Sequence, residues 1–388
     1  MLQTASLEEI KQGKVSDVYF ERSRQVLSAL GLDKNVTAEI VLKKFPAGYS
    51  WGVWAGLEES LEVLQGLKID VTAMPEGTIF NIDQPLMVIE GRYLEFGIFE
   101  TALLGFLCQA SGIATKAARC RLAAGNKTVI SFGARRMHPT IAPMIERNAY
   151  LGGCDGVAVM KSADLLGIQP SGTIPHALIL IIGDTVKAVQ AFHEIIDQKV
   201  NRVALIDTFQ DEKFEALNVA RALGKHLYGV RLDTPANRRG DFLSLLKEVR
   251  WELDLRGFQH VKVLVSGGID ENQILQLNEV VDAYGVGTSI SNAPVLDFAL
   301  DIVAIEGQPM AKRGKRSGKK EVYRCPQCQH TAIMPYGQPV VPACGCQQTY
   351  QPLLQPLIKN GHLMHDYPDI QTLRQYVLRQ LQTGQYPI

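Results

Sequence analysis

The sequence predicts an α/β fold organised on a parallel sheet, closed or partly closed into a barrel. An α+β unit precedes it and a small cysteine-bearing module follows it. Three observations lead there. From Asn126 onward, short apolar strands alternate with helices, and repeated β–α units of that spacing build parallel sheets. Residues 1–115 mix alternating and amphipathic segments without that rhythm. Four of the seven cysteines crowd into residues 325–346.

In the leading unit, Asp17–Leu30 has helical periodicity, with Val18, Val26, Leu27 and Leu30 on one side. Thr37–Phe45 alternates as a strand does, and Trp54–Leu64 is an amphipathic helix. Short strands are expected around Ile69–Thr72, Thr78–Asn81 and Pro85–Glu90, punctuated by Pro75-Glu76-Gly77 and Gly91. Leu94–Ala124 reads as a long, mostly apolar helical stretch broken near Ser111-Gly112. The strands expected next are Thr128–Phe132, Val157–Met160, Val203–Ile206, His226–Arg231, Val261–Val265 and Ala283–Val286. Helices are expected at Pro139–Leu151, Thr185–Ile196, Lys213–Leu223, Phe242–Leu253, Asn272–Asn278 and, in the tail, Asp369–Leu381.

Lys+Arg and Asp+Glu both number 40, so the formal net charge is zero. No global field then favours nucleic acid or an acidic membrane surface. The longest apolar run, Ala177–Ile182, is far too short to span a bilayer. MLQTASLEEIKQGK lacks the apolar core of a signal peptide. The cysteines read as one metal site plus reduced thiols, which implies a cytoplasmic protein.

Function is sought at the C-terminal strand ends, where barrels of this kind carry their active sites. Gly133 ends the first strand, and Arg135 and Arg136 follow it. A guanidinium pair there suits carboxylate or phosphate oxygens, for which Arg offers a rigid fork. Taken alone, the pair reads slightly better as a surface feature with carboxylate partners. The later strand ends reverse that preference. One finishes in Asp207-Thr208 and the next in Arg231-Leu232-Asp233-Thr234. Two more finish in Ser266-Gly267-Gly268 and Gly285-Val286-Gly287-Thr288-Ser289. Charges from several strands thus converge on one rim, and paired glycine turns can offer backbone N–H groups to a phosphate.

After Gly307, Ala311–Lys320 holds only basic charges, a run that usually marks a solvated linker. Cys325-Pro326-Gln327-Cys328 and Cys344-Gly345-Cys346 follow. Four thiolates at this spacing suit one tetrahedral Zn²⁺, structural because no coordination position is left open. The expected domains are 1–115, 116–307 and 308–388, with the zinc knuckle at 321–350 and the tail helix packed on the body.

With these residues laid out, the chain resembles the nicotinate phosphoribosyltransferase family, in its shorter prokaryotic form with a cysteine-rich C-terminus. The likeness runs through Ser16–Phe20, Pro75–Thr78, Ser131–Arg136, Gly172–Ala177, Asp207–Glu212 and Val230–Thr234. It ends with Ser266–Gly268, Tyr284–Thr288 and the basic run before Arg324. The resemblance implies an N-terminal α/β sandwich, an irregular, incomplete α/β barrel, and a homodimer or higher homo-oligomer. It implies transfer of phosphoribosyl from phosphoribosyl pyrophosphate to nicotinate, with Mg²⁺ on the pyrophosphate and coupling to ATP hydrolysis.

Roles follow from the resemblance. Phe132 would stack on the pyridine ring, with Tyr19 of a neighbouring subunit on the other face. Arg135, with Arg136 beside it, would meet the carboxylate or the diphosphate. Asp207, Arg231 and Asp233 would hold ribose hydroxyls, pyrophosphate and Mg²⁺. Gly267, Gly268, Gly285, Gly287 and Thr288 would take the 5′-phosphate. Lys312 and Lys315 would reach a phosphate of the substrate or of ATP. His176, at a helix start after Pro175, would be phosphorylated by ATP, with His138 the weaker candidate.

The chain departs from the family pattern twice. Thr234-Pro235 stands where Ser-Gly-Asp is common. Asp155 stands near where the related nicotinamide enzymes place an acid, so it is read as substrate-binding or as a partner of Arg135 or Arg136. The alternatives are therefore nicotinamide as acceptor, then quinolinate with decarboxylation. A rival of another class is a zinc-containing protein that binds nucleic acid through Ala311–Lys320.

Overall fold

The alternation after Asn126 produces one six-stranded sheet in which every neighbouring pair is parallel. In sheet order the strands are Gly156–Val157, Thr128–Ser131, Ala283–Val286, Lys262–Val265, Gly229–Leu232 and Val203–Leu205. The first and last pair on one side only among the described residues, so the barrel is incomplete. Val203–Leu205 and Ala283–Val286 are buried throughout, which is why they read as apolar runs rather than alternations. Four of the helices between strands begin at aspartates. Asp184, Asp211, Asp241 and Asp270 each accept a first-turn N–H, from Lys187, Lys213, Ser244 and Gln273. Met160–Leu166 is a further helix that the sequence reading did not anticipate.

This computed structural model describes residues 2–235, 237–338 and 343–388, so residues 339–342 of the expected knuckle lie outside it. Contacts divide the chain into Lys116–Ala293 and a unit made of Met1–Thr115 with Pro294–Ile388. The second boundary had been expected at 307. It lies earlier because Phe298–Ile305 pairs antiparallel with Asn35–Leu42, from Val36 opposite Ile305 to Leu42 opposite Phe298.

The unit that holds both termini is built on a seven-stranded sheet centred on Asn35–Leu42, Pro85–Arg92 and Ile69–Ala73. Its core joins Ile40, Leu64, Val71, Phe80, Met87 and Phe96, all essentially inaccessible to solvent. The helical stretch breaks at the 3₁₀ turn Gly97–Phe99, and Glu100–Ala124 then runs unbroken through Gly112. Gly112 is no hinge, since a Cβ there would strike the carbonyl of Pro294. Tyr93–Ala124 is long and apolar enough by composition to cross a membrane. Its most apolar window is 56% buried within the protein, as expected of a core helix.

Candidate active site

Phe132 follows the strand Thr128–Ser131 and donates its N–H to the Val286 carbonyl at 2.8 Å. Its ring lies over Gly285, where any Cβ would collide with it. The Arg231 guanidinium is 6.0 Å from the ring centroid. This corrects the role expected for Gly285. It sits inside the strand Ala283–Val286, and its missing side chain seats an aromatic ring rather than freeing an amide for phosphate. Gly133 similarly gives room to Ser291, whose Oγ would lie 2.5 Å from a Cβ there.

Two strand ends meet beside that ring. The Asp207 side chain is 2% exposed. One of its carboxylate oxygens is 3.1 Å from His176 Nε2, and the other accepts the Asp233 N–H at 2.9 Å. Burial pushes the Asp207 carboxyl above the usual range, while the His176 charge and the Asp233 amide pull it back. Asp233 takes the Ser266 hydroxyl on Oδ1 at 2.8 Å, and its Oδ2 is 3.7 Å from Arg231 Nη2. Arg231 also donates from Nη1 to the Thr173 hydroxyl at 2.6 Å. Burial lowers the Arg231 guanidinium, the two aspartates oppose that, and the Arg135 charge adds to it. Arg231 Nε is buried without a partner among the described residues, as are Ser131 Oγ and Thr208 Oγ1. Such orphan polar atoms are costly unless a ligand satisfies them.

His176 opens the helix His176–Ile182, with Pro175 just before it rather than within it. Its ring is 40% exposed, and the Asp207 contact uses only Nε2. Gly267 and Gly268 have φ of 81° and 68°, two successive residues in the left-handed region. The N–H groups of Gly267, Gly268, Gly287 and Thr288 donate to no other group of the chain among the described residues. Arg135 and Arg136 are exposed, and neither has an acidic partner among the described residues.

Other expected site residues lie elsewhere. Asp155 precedes the strand Gly156–Val157, at its N-terminal end. Its carboxylate meets Arg121 at 2.6 Å and accepts the Val129 N–H at 2.9 Å, so it pairs with neither Arg135 nor Arg136. His138 is exposed and bonds Thr140 at 2.7 Å, capping the turn Pro139–Ile141. Tyr19 belongs to the unit with the chain termini, is 56% exposed, and packs 4.3 Å from the Phe20 ring. Lys312 and Lys315 are engaged by Asp301 at 2.6 and 2.8 Å, while Lys320 meets Glu39 at 2.8 Å and Lys319 meets Glu90 at 2.5 Å. Arg239 and Thr173 touch the strand-end cluster and escaped the sequence reading. A lone Arg or Thr in a loop carries no positional signal.

Cys325, Cys328, Cys344 and Cys346 place their sulfurs within 4.8 Å of one another. Pairs are 3.3, 3.4 and 3.7 Å apart, close to the roughly 3.8 Å edge of a tetrahedral tetrathiolate. Backbone amides of Cys328 and Cys346 hold the Cys325 and Cys344 thiols below their usual range. The Cys328 and Cys346 thiols, drawn down by the backbone amides of His330 and Gln348, are pushed up overall by hydrogen bonds to neighbouring sulfurs. The donor set can therefore hold a metal ion. Around it, among the described residues, the core holds Cys325, Cys344 and Tyr350, with Tyr323, Ala332 and Cys346 packed alongside.

Comparison with known proteins places this geometry in a family. Models for the quinolinate phosphoribosyl transferase N-terminal and C-terminal domains match residues 17–111 and 113–301. Nicotinate phosphoribosyltransferase pncB2 of Mycobacterium tuberculosis is 28% identical over 94% of this chain and 86% of its own length. The crystal structure of nicotinate-nucleotide pyrophosphorylase from Pyrococcus furiosus superposes with a TM-score of 0.97 at 50% identity, over 98% of each chain. Human nicotinic acid phosphoribosyltransferase shares the fold, with a TM-score of 0.73 at 19% identity over 96% of this chain and 94% of its own. A parallel half-barrel with acids, arginines and glycine turns at its strand ends, matched along nearly its whole length, belongs to the nicotinate phosphoribosyltransferase family, and the chain is a phosphoribosyltransferase.

Proposed function

We propose that this protein transfers phosphoribosyl from phosphoribosyl pyrophosphate to nicotinate, in the cytoplasm and in NAD salvage. One observation carries the reading. A stackable ring, arginines without acid partners and unspent backbone amides meet at the strand ends of a chain from this family.

The pyridine nitrogen is already a neutral nucleophile, so the reaction needs no strong base. Its bond to the ribose C1′ forms as the C1′–O bond to pyrophosphate breaks. The barrier is charge separation between a cationic sugar and a departing anion, which positioning and fixed charges lower. Phe132 would hold the ring flat, and Arg135 would take the carboxylate. Asp207 and Asp233 would face the cationic sugar. Arg231, whose Nε lacks a partner, would meet the departing oxygens. Gly267, Gly268, Gly287 and Thr288 would donate to the 5′-phosphate. Mg²⁺ suits a site with one loosely engaged carboxylate oxygen plus substrate phosphates, which fits Asp233 Oδ2. With that ion bound, the pyrophosphate is a better leaving group.

ATP coupling through His176 is part of the proposal. Asp207 engages Nε2, which leaves Nδ1 as the nitrogen that can accept a phosphoryl group. A homodimer, Zn²⁺ at the four cysteines, and Tyr19 as the second stacking face are part of it too. Quinolinate is the second reading, supported by the matched domain models and by two adjacent arginines suited to two carboxylates. The nicotinamide reading loses the acid that motivated it, since Asp155 is bound to Arg121. The nucleic-acid reading is weakened, since the four lysines of that run are paired, while Arg313 and Arg316 remain exposed there.

The test offers nicotinate, nicotinamide and quinolinate separately, with phosphoribosyl pyrophosphate and Mg²⁺, with and without ATP. Nicotinate mononucleotide from nicotinate is expected, stimulated by ATP in the wild type and unstimulated in His176→Ala. Product with CO₂ release from quinolinate alone would move the assignment to the second reading. Consumption of none of the three would end it.

A further inference from the structure

We infer that Arg239 is a positioning residue for the double-glycine turn, the element that would hold the sugar phosphate. This rests on the phosphoribosyl reading above. Two successive left-handed residues are a backbone shape with many alternatives, because glycine moves freely among them. No backbone hydrogen bond from Gly267 or Gly268 locks the turn. Side chains do so instead. Arg239 donates from Nη2 to the Gly267 carbonyl at 2.5 Å and from Nε to the Thr234 carbonyl at 3.0 Å. One guanidinium thereby ties together the segments that follow two neighbouring strands, Gly229–Leu232 and Lys262–Val265. Its own plane is set by the ring of buried Phe242, 4.5 Å away.

The consequence for the turn follows from peptide geometry. In a trans peptide the C=O and the next N–H point in opposite directions. Drawing the Gly267 carbonyl onto Arg239 therefore aims the Gly268 N–H away from the guanidinium, where it has no acceptor among the described residues. An anion seated there receives a preset donor. A lysine cannot reproduce this, since its single ammonium lacks the planar fork that spans two carbonyls.

Arg239→Ala and Arg239→Lys test the assignment. Both are expected to raise KM for phosphoribosyl pyrophosphate about tenfold, the worth of one charge-assisted hydrogen bond. The expected change in kcat is less than about threefold, and KM for the pyridine acid should not move. Competition by ribose 5-phosphate should weaken by the same factor, while competition by inorganic pyrophosphate stays as in the wild type. Full rescue by Lys would show that charge rather than the fork matters, and would overturn the inference. So would equal weakening for ribose 5-phosphate and pyrophosphate, or wild-type binding of ribose 5-phosphate by both variants. Should the wild type itself bind no ribose 5-phosphate, the phosphoribosyl reading fails first. Thermal melting of each variant separates a lost turn from a lost fold.

Discussion

The molecule carries two clusters of cations, and they differ in what neutralises them. In the run Ala311–Lys320, all four lysines reach carboxylates: Lys312 and Lys315 meet Asp301, Lys319 meets Glu90, and Lys320 meets Glu39. Glu39 and Asp301 stand opposite each other on neighbouring strands, and their side chains are 3% and 4% exposed. The run therefore neutralises a row of acids on its own sheet. At the strand ends of the parallel sheet the disposition is reversed. Arg135 and Arg136 lack acidic partners, and Arg231 keeps an orphan Nε. A cavity of about 410 Å³ lies beside the first cluster, yet its lining charges are largely spent on each other. Charge density alone does not mark a binding site; the lysines of the run are spent on acids, while Arg313 and Arg316 stay exposed there.

The largest effect expected from this rule concerns anions rather than cations. Four cysteine sulfurs lie within 4.8 Å of one another, a group that can hold a cation. Among the described residues the module's own core is small, so bound metal would supply much of its folding energy, on the order of 10 kcal/mol. Elemental analysis is expected to give about one Zn²⁺ per chain. Cys325→Ser combined with Cys328→Ser should abolish it and expose residues 320–350 to protease. Unchanged metal content in that variant would break the analogy between the two kinds of unpartnered charge.

A direct contrast between the clusters comes next in size. Arg135→Ala should raise KM for the acceptor acid by about tenfold to a hundredfold, through loss of a bidentate carboxylate contact. Its urea midpoint should not move, because the side chain is exposed and unpaired. Lys320→Met should do the opposite, losing about 3 kcal/mol of stability with KM unchanged, since it strands a buried carboxylate. Burial already pushes Glu39 upward and Lys320 is what opposes it. If both variants changed KM, or both changed only stability, the division between spent and unspent cations would not hold.

The same distinction explains what the sequence could and could not convey. The barrel was legible because short apolar strands alternate with helices at regular spacing, a local feature. Asp207, Arg231 and Asp233 were legible because strand ends fix where such residues sit. Partnership was not legible. Asp155 looked like a substrate acid, yet its partner Arg121 lies on the helix Glu100–Ala124 and the contact is set by tertiary packing. Lys312 and Lys315 looked free until Asp301 was found beneath them. Gly285 shows a related limit. The sequence says that a side chain is missing there, and only the Phe132 ring says why. Phe298–Ile305 was assigned to the barrel because its partner strand begins at Asn35, far away in sequence.

Glu100 offers the smallest and sharpest test, because it sits near the paired cluster without being balanced by it. Burial, reinforced by Asp301, holds its carboxyl up at about 7 from the usual 4.5, against opposition from Lys312 and Lys43. A raised folded-state value means that the folded protein takes up the proton more readily than the unfolded chain. The stabilisation is therefore complete below about 4.5 and is lost as pH rises through about 7. The gap corresponds to roughly 3 kcal/mol at full burial, and partial exposure reduces it to roughly 2 kcal/mol. Glu100→Gln has no charge to bury at any pH. It should match the wild type in urea unfolding near pH 5 and exceed it by roughly 2 kcal/mol near pH 8. Identical wild-type and variant stabilities across that range would mean that Lys312 and Lys43 already neutralise Glu100. The paired region would then be complete, and its contrast with the strand ends stronger.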